Sequence, residues 1–283
     1  MTQTNTPILI ANYHTHTTRC GHARGCERDY IEQAIRAGVR ILGFADHAPY
    51  PFPDGYNSGF RMRVEQTADY TETLCALREE YKQDIEIYIG YETEYYPDFF
   101  SDAMQNLCAY PVDYLILGQH FLENEITKIY SGAPTDDEGR LSAYVDQISA
   151  GLSTGVFSCV AHPDLLHFTG DNAIYETQMR RLCENAKRLD IPLEINFLGL
   201  KEHRHYPCDR FWQIAADVGN SVIFGCDAHT PDMLSDFGLF QSAAAYAERF
   251  GLHPQKTLTL RDPHSFFKKT TPISNCQTVC CNC

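Results

Sequence analysis

No apolar run in the 283 residues approaches the roughly 18 needed to cross a bilayer. The runs near 114–117 and 221–224 are the size of strands. The opening residues, MTQTNTPILI, have neither the basic start nor the apolar stretch of an export signal, so the expected location is the cytoplasm. Basic residues are few: 23 against 37 acidic, a formal net charge of −14. Nucleic-acid affinity comes mainly from Lys and Arg on phosphates, so neither a nucleic acid nor a membrane is an expected partner. A small phosphate ester remains compatible, because bound cations would reverse the local field. Internal repeats, low-complexity tracts and long Pro/Gly/Ser linkers are missing. The 12 cysteines are too dilute for a disulfide scaffold, and reduced thiols are the expectation. Cys276, Cys280, Cys281 and Cys283 crowd the C-terminus without the paired spacing of a zinc ribbon. They mark a tail, 272–283, apart from a single domain over 1–271.

What the chain does contain is alternation. Hydrophobic residues make up 43% and aromatics 12%, enough for a large core. Strand-like runs near 8–13, 39–45, 85–91, 112–118, 156–161, 191–197 and 221–226 alternate with helical spacing near 27–37, 64–82, 99–109, 140–151, 174–190, 208–218 and 232–249. Gly38, Gly155 and Gly219 stand where helix C-caps belong, and Thr230-Pro231 where a helix would open. Repeated strand–helix units imply parallel strands with right-handed crossovers. A doubly wound nucleotide fold would place a glycine-rich turn after its first strand. Here His14-Thr15-His16 follows it, which favours an α/β barrel of seven or eight strands. The irregular segments 48–63 and 121–139 are long enough to cover a site.

The ends of these strands carry the chemistry. They hold His14 and His16, Asp46-His47, Glu92, His120, His162, Glu194 with Asn196, and Asp227 with His229. In a barrel all of them meet at one mouth. Residues i and i+2 of a strand face the same way, so His14/His16 and Asp227/His229 each form a pincer. Imidazole with carboxylate suits Zn, Fe or Mn, and the set exceeds what one ion can use. Two or three divalent transition-metal ions are expected, with Glu92 as the shared bridge. Glu194 reads as a ligand, as a partner orienting an imidazole, or as part of a buried hydrogen-bonded pair.

In order along the chain, HTHT at 14–17, ADH at 45–47, GYE at 90–92, GQH at 118–120, AHPD at 161–164 and CDAH at 226–229 resemble the PHP (polymerase and histidinol-phosphatase) family of metal-dependent phosphoesterases. Cys20-Gly21-His22-Ala23 and 196–200 are similar to its histidinol-phosphatase branch. The resemblance implies a distorted TIM-like (β/α)7 barrel with a trinuclear centre at the C-terminal ends of the strands. It implies one ion on His14, His16, Glu92 and Asp227, a second on Glu92, His120 and His162, and a third on His22, His47 and His229. His22 enters through the resemblance alone. The implied reaction is hydrolysis of L-histidinol phosphate in histidine biosynthesis. Asp46 is a candidate general acid/base or a carboxylate orienting a ligand histidine. Candidate phosphate clamps are Lys201, where similar proteins often carry Arg, with Arg204, Arg61, Arg19, Arg24 and Arg63. Tyr50, Phe52, Asp54, Tyr56, Glu94 and Tyr95 are candidates for the amine and imidazole of the substrate. Rival readings are another small phosphate ester, a nucleotide or a phosphotyrosine as substrate, a metal-dependent amidohydrolase, and a non-catalytic metal-binding protein.

Overall fold

The computed structural model describes residues 9–270. Seven strands lie side by side in chain order, every neighbouring pair parallel: β1 (Ala11–Asn12), β2 (Ile41–His47), β3 (Glu86–Thr93), β4 (Tyr114–Leu117), β5 (Phe157–Val160), β6 (Leu193–Asn196) and β7 (Val222–Gly225). The ring closes just beyond β1 and β7, where Thr15 bridges Ala228 in parallel. There the His16 amide donates to the Ala228 carbonyl at 3.0 Å and the Ala228 amide to the His14 carbonyl at 3.1 Å. The distortion has two sources. The register shifts between Leu115 and Ile116, and β5 meets β6 through the single pair Val160–Leu193. The fold is therefore the distorted (β/α)7 barrel.

Helices fill the crossovers: α1 (Glu27–Ala37), α2 (Thr67–Tyr81), α3 (Phe100–Leu107), α4 (Glu138–Thr154), α5 (Asn172–Arg188), α6 (Phe197–Lys201), α7 (Asp209–Val218), α8 (Phe237–Arg249) and α9 (Ser265–Thr270). Their local rules are visible in the sequence. In α1 the buried Tyr30, Ile31, Ala34 and Ala37 make one apolar stripe, and Asp29 accepts from the Cys26 amide at its start. Asp137 and Asp171 cap α4 and α5 by accepting from the backbone amides of their first turns. Gly38, Gly155 and Gly219 terminate α1, α4 and α7 in the left-handed region, as their placement predicts.

Three elements differ from the sequence reading. Pro231 opens only a 3₁₀ turn, Pro231–Ser235, and α8 starts later under an Asp236 cap. The run 191–197 ends early because Asn196 caps α6, its side chain accepting from the Gly199 amide. The stretch after α8 carries no regular period, yet it forms the barrel floor. The Gln255 amide donates to the Val222 carbonyl, and Leu258 packs with Ala11, Tyr13, Ala45, Tyr114, Ile116 and Ile223. Among the described residues no helix is long and apolar enough to cross a membrane. The tail 272–283 with Cys276, Cys280, Cys281 and Cys283 lies outside the described residues.

Candidate metal centre

The strand ends, with the loop before α1 that carries His22, bring all nine predicted ligands to one end of the barrel. His14 and His16 sit deepest, almost wholly buried. His22, His47, Glu92, His120, His162, Asp227 and His229 line the wall of a cavity of about 360 Å³ above them. The backbone turns sharply to aim two of these side chains: His162 has φ +28° and Asp227 φ +49°, unusual for non-glycine residues and typical of functional positions. Two glycines clear space for the carboxylates. A Cβ on Gly118 would lie 2.0 Å from Glu92 Oε1, and one on Gly225 1.7 Å from Glu194 Oε1.

Glu92 is the hub. Its Oε2 faces His47 Nδ1 at 3.0 Å, His14 Nε2 at 3.5 Å and His16 Nε2 at 3.6 Å. Its Oε1 faces His162 Nε2 at 2.7 Å and His120 Nε2 at 3.4 Å. Asp227 Oδ1 lies 3.1 Å from His16 Nε2 and 3.5 Å from His14 Nε2. His22 and His229 meet through their Nε2 atoms at 2.9 Å.

Most of the imidazoles are held from behind. Nδ1 of His14 donates to Glu194 at 2.7 Å, that of His120 to Glu94 at 2.9 Å, and that of His16 faces Asp46 at 3.4 Å. Nδ1 of His22 and of His229 donate to the Cys20 and Asp227 carbonyls, each at 3.0 Å. This anchoring fixes the tautomer and turns an Nε2 lone pair inward, as in histidines that ligate cations. The inward atoms are short of partners: His14 Nε2, His16 Nε2, His47 Nδ1 and Glu92 Oε2 are buried and make no hydrogen bond. The two lone pairs of His22 and His229, facing each other at 2.9 Å, repel unless a proton or cation lies between them. Orphaned lone pairs around two carboxylates are what a set of divalent cations requires, so the donor set fits the expected metal.

Electrostatics without a cation show the same tension. Burial works against charge on His16, but the Asp227 and Asp46 carboxylates outweigh it and raise its pKa to about 9. His14 is likewise held well above its ordinary range, mainly by Glu194 and Asp227 against burial. Burial and the neighbouring His16 push His229 down to about 4, and burial holds His47 well below its usual range. Glu92 and Asp227 stay far below normal carboxylates, since the surrounding imidazoles outweigh the burial that opposes ionisation.

Several other candidates are placed elsewhere and are corrected. Asp46 is fully buried beneath His16. Its Oδ1 takes the His47 amide and its Oδ2 both the amide and hydroxyl of Thr17, so it does not reach the cavity. Glu94 is also fully buried; it accepts from His120 and from Arg61 at 2.9 and 3.0 Å, and is not free to meet a substrate amine. Arg61 spends its donors on Glu94, Glu125 and the Ala48 carbonyl. Arg19 pairs with Glu27 and Asp69, and Lys201 Nζ lies 3.8 Å from both Asp232 and Asp236. Neither Arg19, Arg61 nor Lys201 lines the cavity, nor do Arg24 and Arg63. Tyr50 and Phe52 stack on each other and meet the Tyr96 ring at a tilt, and with Asp54, Tyr56 and Tyr95 they are absent from the wall. Of the predicted clamps, Arg204 alone lines the cavity among the described residues.

The wall also holds residues the sequence reading passed over: Phe60, Phe121, Tyr130, Leu198, Glu202 and Tyr206. Phe60 and Tyr130 come from the long loops expected to cover the site. Glu202 and Tyr206 flank Arg204 just after α6, and their proximity to it was the available signal. Glu194 takes the orienting role, its Oε1 on His14 and its Oε2 accepting from the His162 amide and Asn196 Nδ2, each at 3.0 Å.

Comparison with known proteins agrees with this architecture. The family model described as the PHP domain matches residues 12–198. The chain belongs to the PHP domain family. That match runs from β1 to the first residues of α6, whereas Asp227 and His229 follow β7, outside it. Among PHP relatives, a protein of Deinococcus radiodurans named a probable histidinol-phosphatase is 26% identical over 230 residues, covering 78% of this chain and 87% of its own length. A solved structure of a histidinol phosphate phosphatase from Lactococcus lactis, complexed with zinc, L-histidinol and phosphate, superposes with a TM-score of 0.66 at 18% identity, covering 89% of this chain and all of that one. A histidinol phosphatase structure from Listeria monocytogenes, described as putative, gives 0.62 at 17% identity over 80% of this chain and 97% of that one.

Proposed function

We propose that this chain is a metal-dependent phosphomonoesterase of the cytoplasm that hydrolyses L-histidinol phosphate to L-histidinol and phosphate, as a step in histidine biosynthesis. The observation that carries the reading is the anchored ring of imidazoles. His14, His16, His22, His120 and His229 each turn Nδ1 toward an oxygen behind them and present Nε2 to a shared space around Glu92 and Asp227. The Deinococcus relative and the ligands of the Lactococcus structure support the choice of substrate.

His14, His16, Glu92 and Asp227 would hold one cation, Glu92, His120 and His162 a second, and His22, His47 and His229 a third. Bound divalent zinc, iron or manganese would lower the pKa of water and neutralise phosphoryl charge, the dominant need in cleaving so inert an ester. The chain's own residues do the rest. Glu194, Asp46 and Glu94 keep His14, His16 and His120 aimed. Arg204 presents a permanent cation at the cavity wall, where phosphoryl oxygens would meet it. Phe60, Phe121 and Tyr130 offer flat apolar faces to an imidazole, and Glu202 offers a carboxylate to an amine.

The test is phosphate release by protein reconstituted with Mn, Zn or Fe. Substrates are histidinol phosphate, p-nitrophenyl phosphate, a nucleoside bisphosphate and a phosphotyrosine peptide. The expected result is a strong preference for histidinol phosphate that His16→Ala removes. Comparable slow release from all four would retain the phosphoesterase and overturn the substrate. No release with any metal would overturn both.

A further inference from the structure

Cleavage of an alkyl phosphate leaves a basic alkoxide, which departs readily only if a proton reaches it as the P–O bond breaks. Asp46 is sealed beneath His16 and cannot supply one to the cavity. Outside the ligand cluster, the wall offers four polar side chains, Tyr130, Glu202, Arg204 and Tyr206. Glu202 accepts from Arg204 Nε at 2.8 Å and Nη2 at 2.6 Å and is already engaged in that ion pair. A guanidinium does not release its protons at working pH. Tyr130 is 43% exposed and stands at the rim, whereas Tyr206 is 3% exposed, with its ring 5.8 Å from that of His162.

The surroundings of Tyr206 single it out further. Arg204 Nη1 donates to its phenolic oxygen at 2.6 Å, which uses an oxygen lone pair and leaves the phenol's own hydrogen without an acceptor among the described residues. The same guanidinium stabilises the phenolate that would form after the proton departs. The pair is held in place by α6: the Arg204 amide donates to the Gly199 carbonyl at 2.9 Å, and a Cβ on Gly199 would lie 2.3 Å from the Tyr206 carbonyl oxygen.

We propose that Tyr206 is the general acid that protonates the leaving oxygen, with Arg204 holding its hydroxyl. The inference rests on the phosphomonoesterase reading above. A bond forms between the attacking water's oxygen and phosphorus, and the bond from phosphorus to the alkyl oxygen breaks. The departing oxygen keeps the electron pair and takes the phenolic proton. The attacking water gives one proton to solvent, and the phenolate regains one from solvent, so alcohol and phosphate are the only products.

The experiment compares wild type and Tyr206→Phe, both loaded with metal, on phosphate esters of graded leaving-group basicity, from p-nitrophenyl phosphate to histidinol phosphate. Tyr206→Phe should cost the alkyl ester roughly a hundredfold more in kcat than it costs the aryl ester, whose leaving group needs no proton. The variant's rates should therefore fall more steeply with leaving-group basicity. An equal loss on all esters, or no loss, overturns the assignment and leaves the phosphatase reading intact. A wild type that cleaves none of them overturns both. As a second variant, 3,5-difluorotyrosine at position 206 keeps the hydroxyl and the packing while making the phenol more acidic. It should keep most of the alkyl-ester rate that Tyr206→Phe loses, and a loss as large as that of Tyr206→Phe contradicts the proposal.

Discussion

The two ends of the barrel interior are built on opposite terms. At the floor, Tyr114 fills the middle of the barrel. A Cβ on Gly90 would lie 2.4 Å from its ring, and its hydroxyl donates to the Tyr13 carbonyl at 2.7 Å. The Leu258 amide reaches the Tyr13 hydroxyl, and the surrounding cluster is apolar. At the mouth, a short distance along the same strands, buried lone pairs of His14, His16, His47 and Glu92 have no partner. Unsatisfied buried polar atoms cost free energy, and a chain that tolerates several in one place reserves them for a ligand. The floor holds the barrel together, and the mouth gives up some of that stability for a site.

Substitutions at the two ends should therefore separate into different readouts. The largest effect is expected at the hub. Glu92→Gln removes the carboxylate charge that faces five histidine nitrogens and should lower phosphate release by about 10³-fold, several kcal/mol of lost charge stabilisation. Metal analysis should show fewer ions per chain, and a fully loaded, active variant would break the comparison. Leu258→Ala at the floor should lower stability by about 2–5 kcal/mol in denaturant unfolding, while leaving metal content per folded chain unchanged. Loss of metal at constant stability would show that floor and mouth are not separate.

Glu194→Gln tests the layer behind the ligands. With its anchor on His14 weakened, metal affinity should fall about 10–100-fold, read by competition with a chelator. An unchanged affinity would mean that His14 needs no orienting partner. The smallest effect concerns Asp164, buried behind the mouth with one oxygen accepting from the Cys208 amide at 2.5 Å. Burial raises its pKa to about 7. Between about pH 4 and 7 the folded state therefore holds a proton on Asp164 that the unfolded chain has released, so this group's own contribution to the stability of the cation-free protein falls as pH rises through that window, against the opposite contribution of His47 and His229, whose lowered pKa values favour the folded state as pH rises. Asp164→Asn should make the slope of stability against pH more positive over this stretch, and an unchanged slope would show that the buried Asp164 does not hold that proton.

The mouth was more legible in the sequence than the floor. Strand ends announce themselves where a β-branched or aromatic run stops, and i, i+2 pairs such as His14/His16 declare a shared direction. For eight of the nine ligand candidates that was enough; His22, on a loop, needed the family resemblance. Direction at a single residue was not legible. Asp46 sits beside His47, but the strand's alternation sends it down behind His16 rather than into the cavity. Charge alone was equally mute for Arg61 and Glu94, which read as groups for a substrate and instead pair with each other in the interior. The floor depends on Leu258 and Gln255, in a stretch with no helical or strand period, so only the folded chain reveals where it goes.

If the orphaned lone pairs at the mouth await cations that the reaction requires, metal content and activity must rise together. The most direct test is to strip the protein with a chelator, add back Zn or Mn in steps, and follow bound metal and phosphate release from histidinol phosphate on the same sample. The expected result is no release from stripped protein, and release that rises only as more than one ion binds per chain. Release that survives complete removal of metal, or stripped protein that takes up no ions at all, would contradict it.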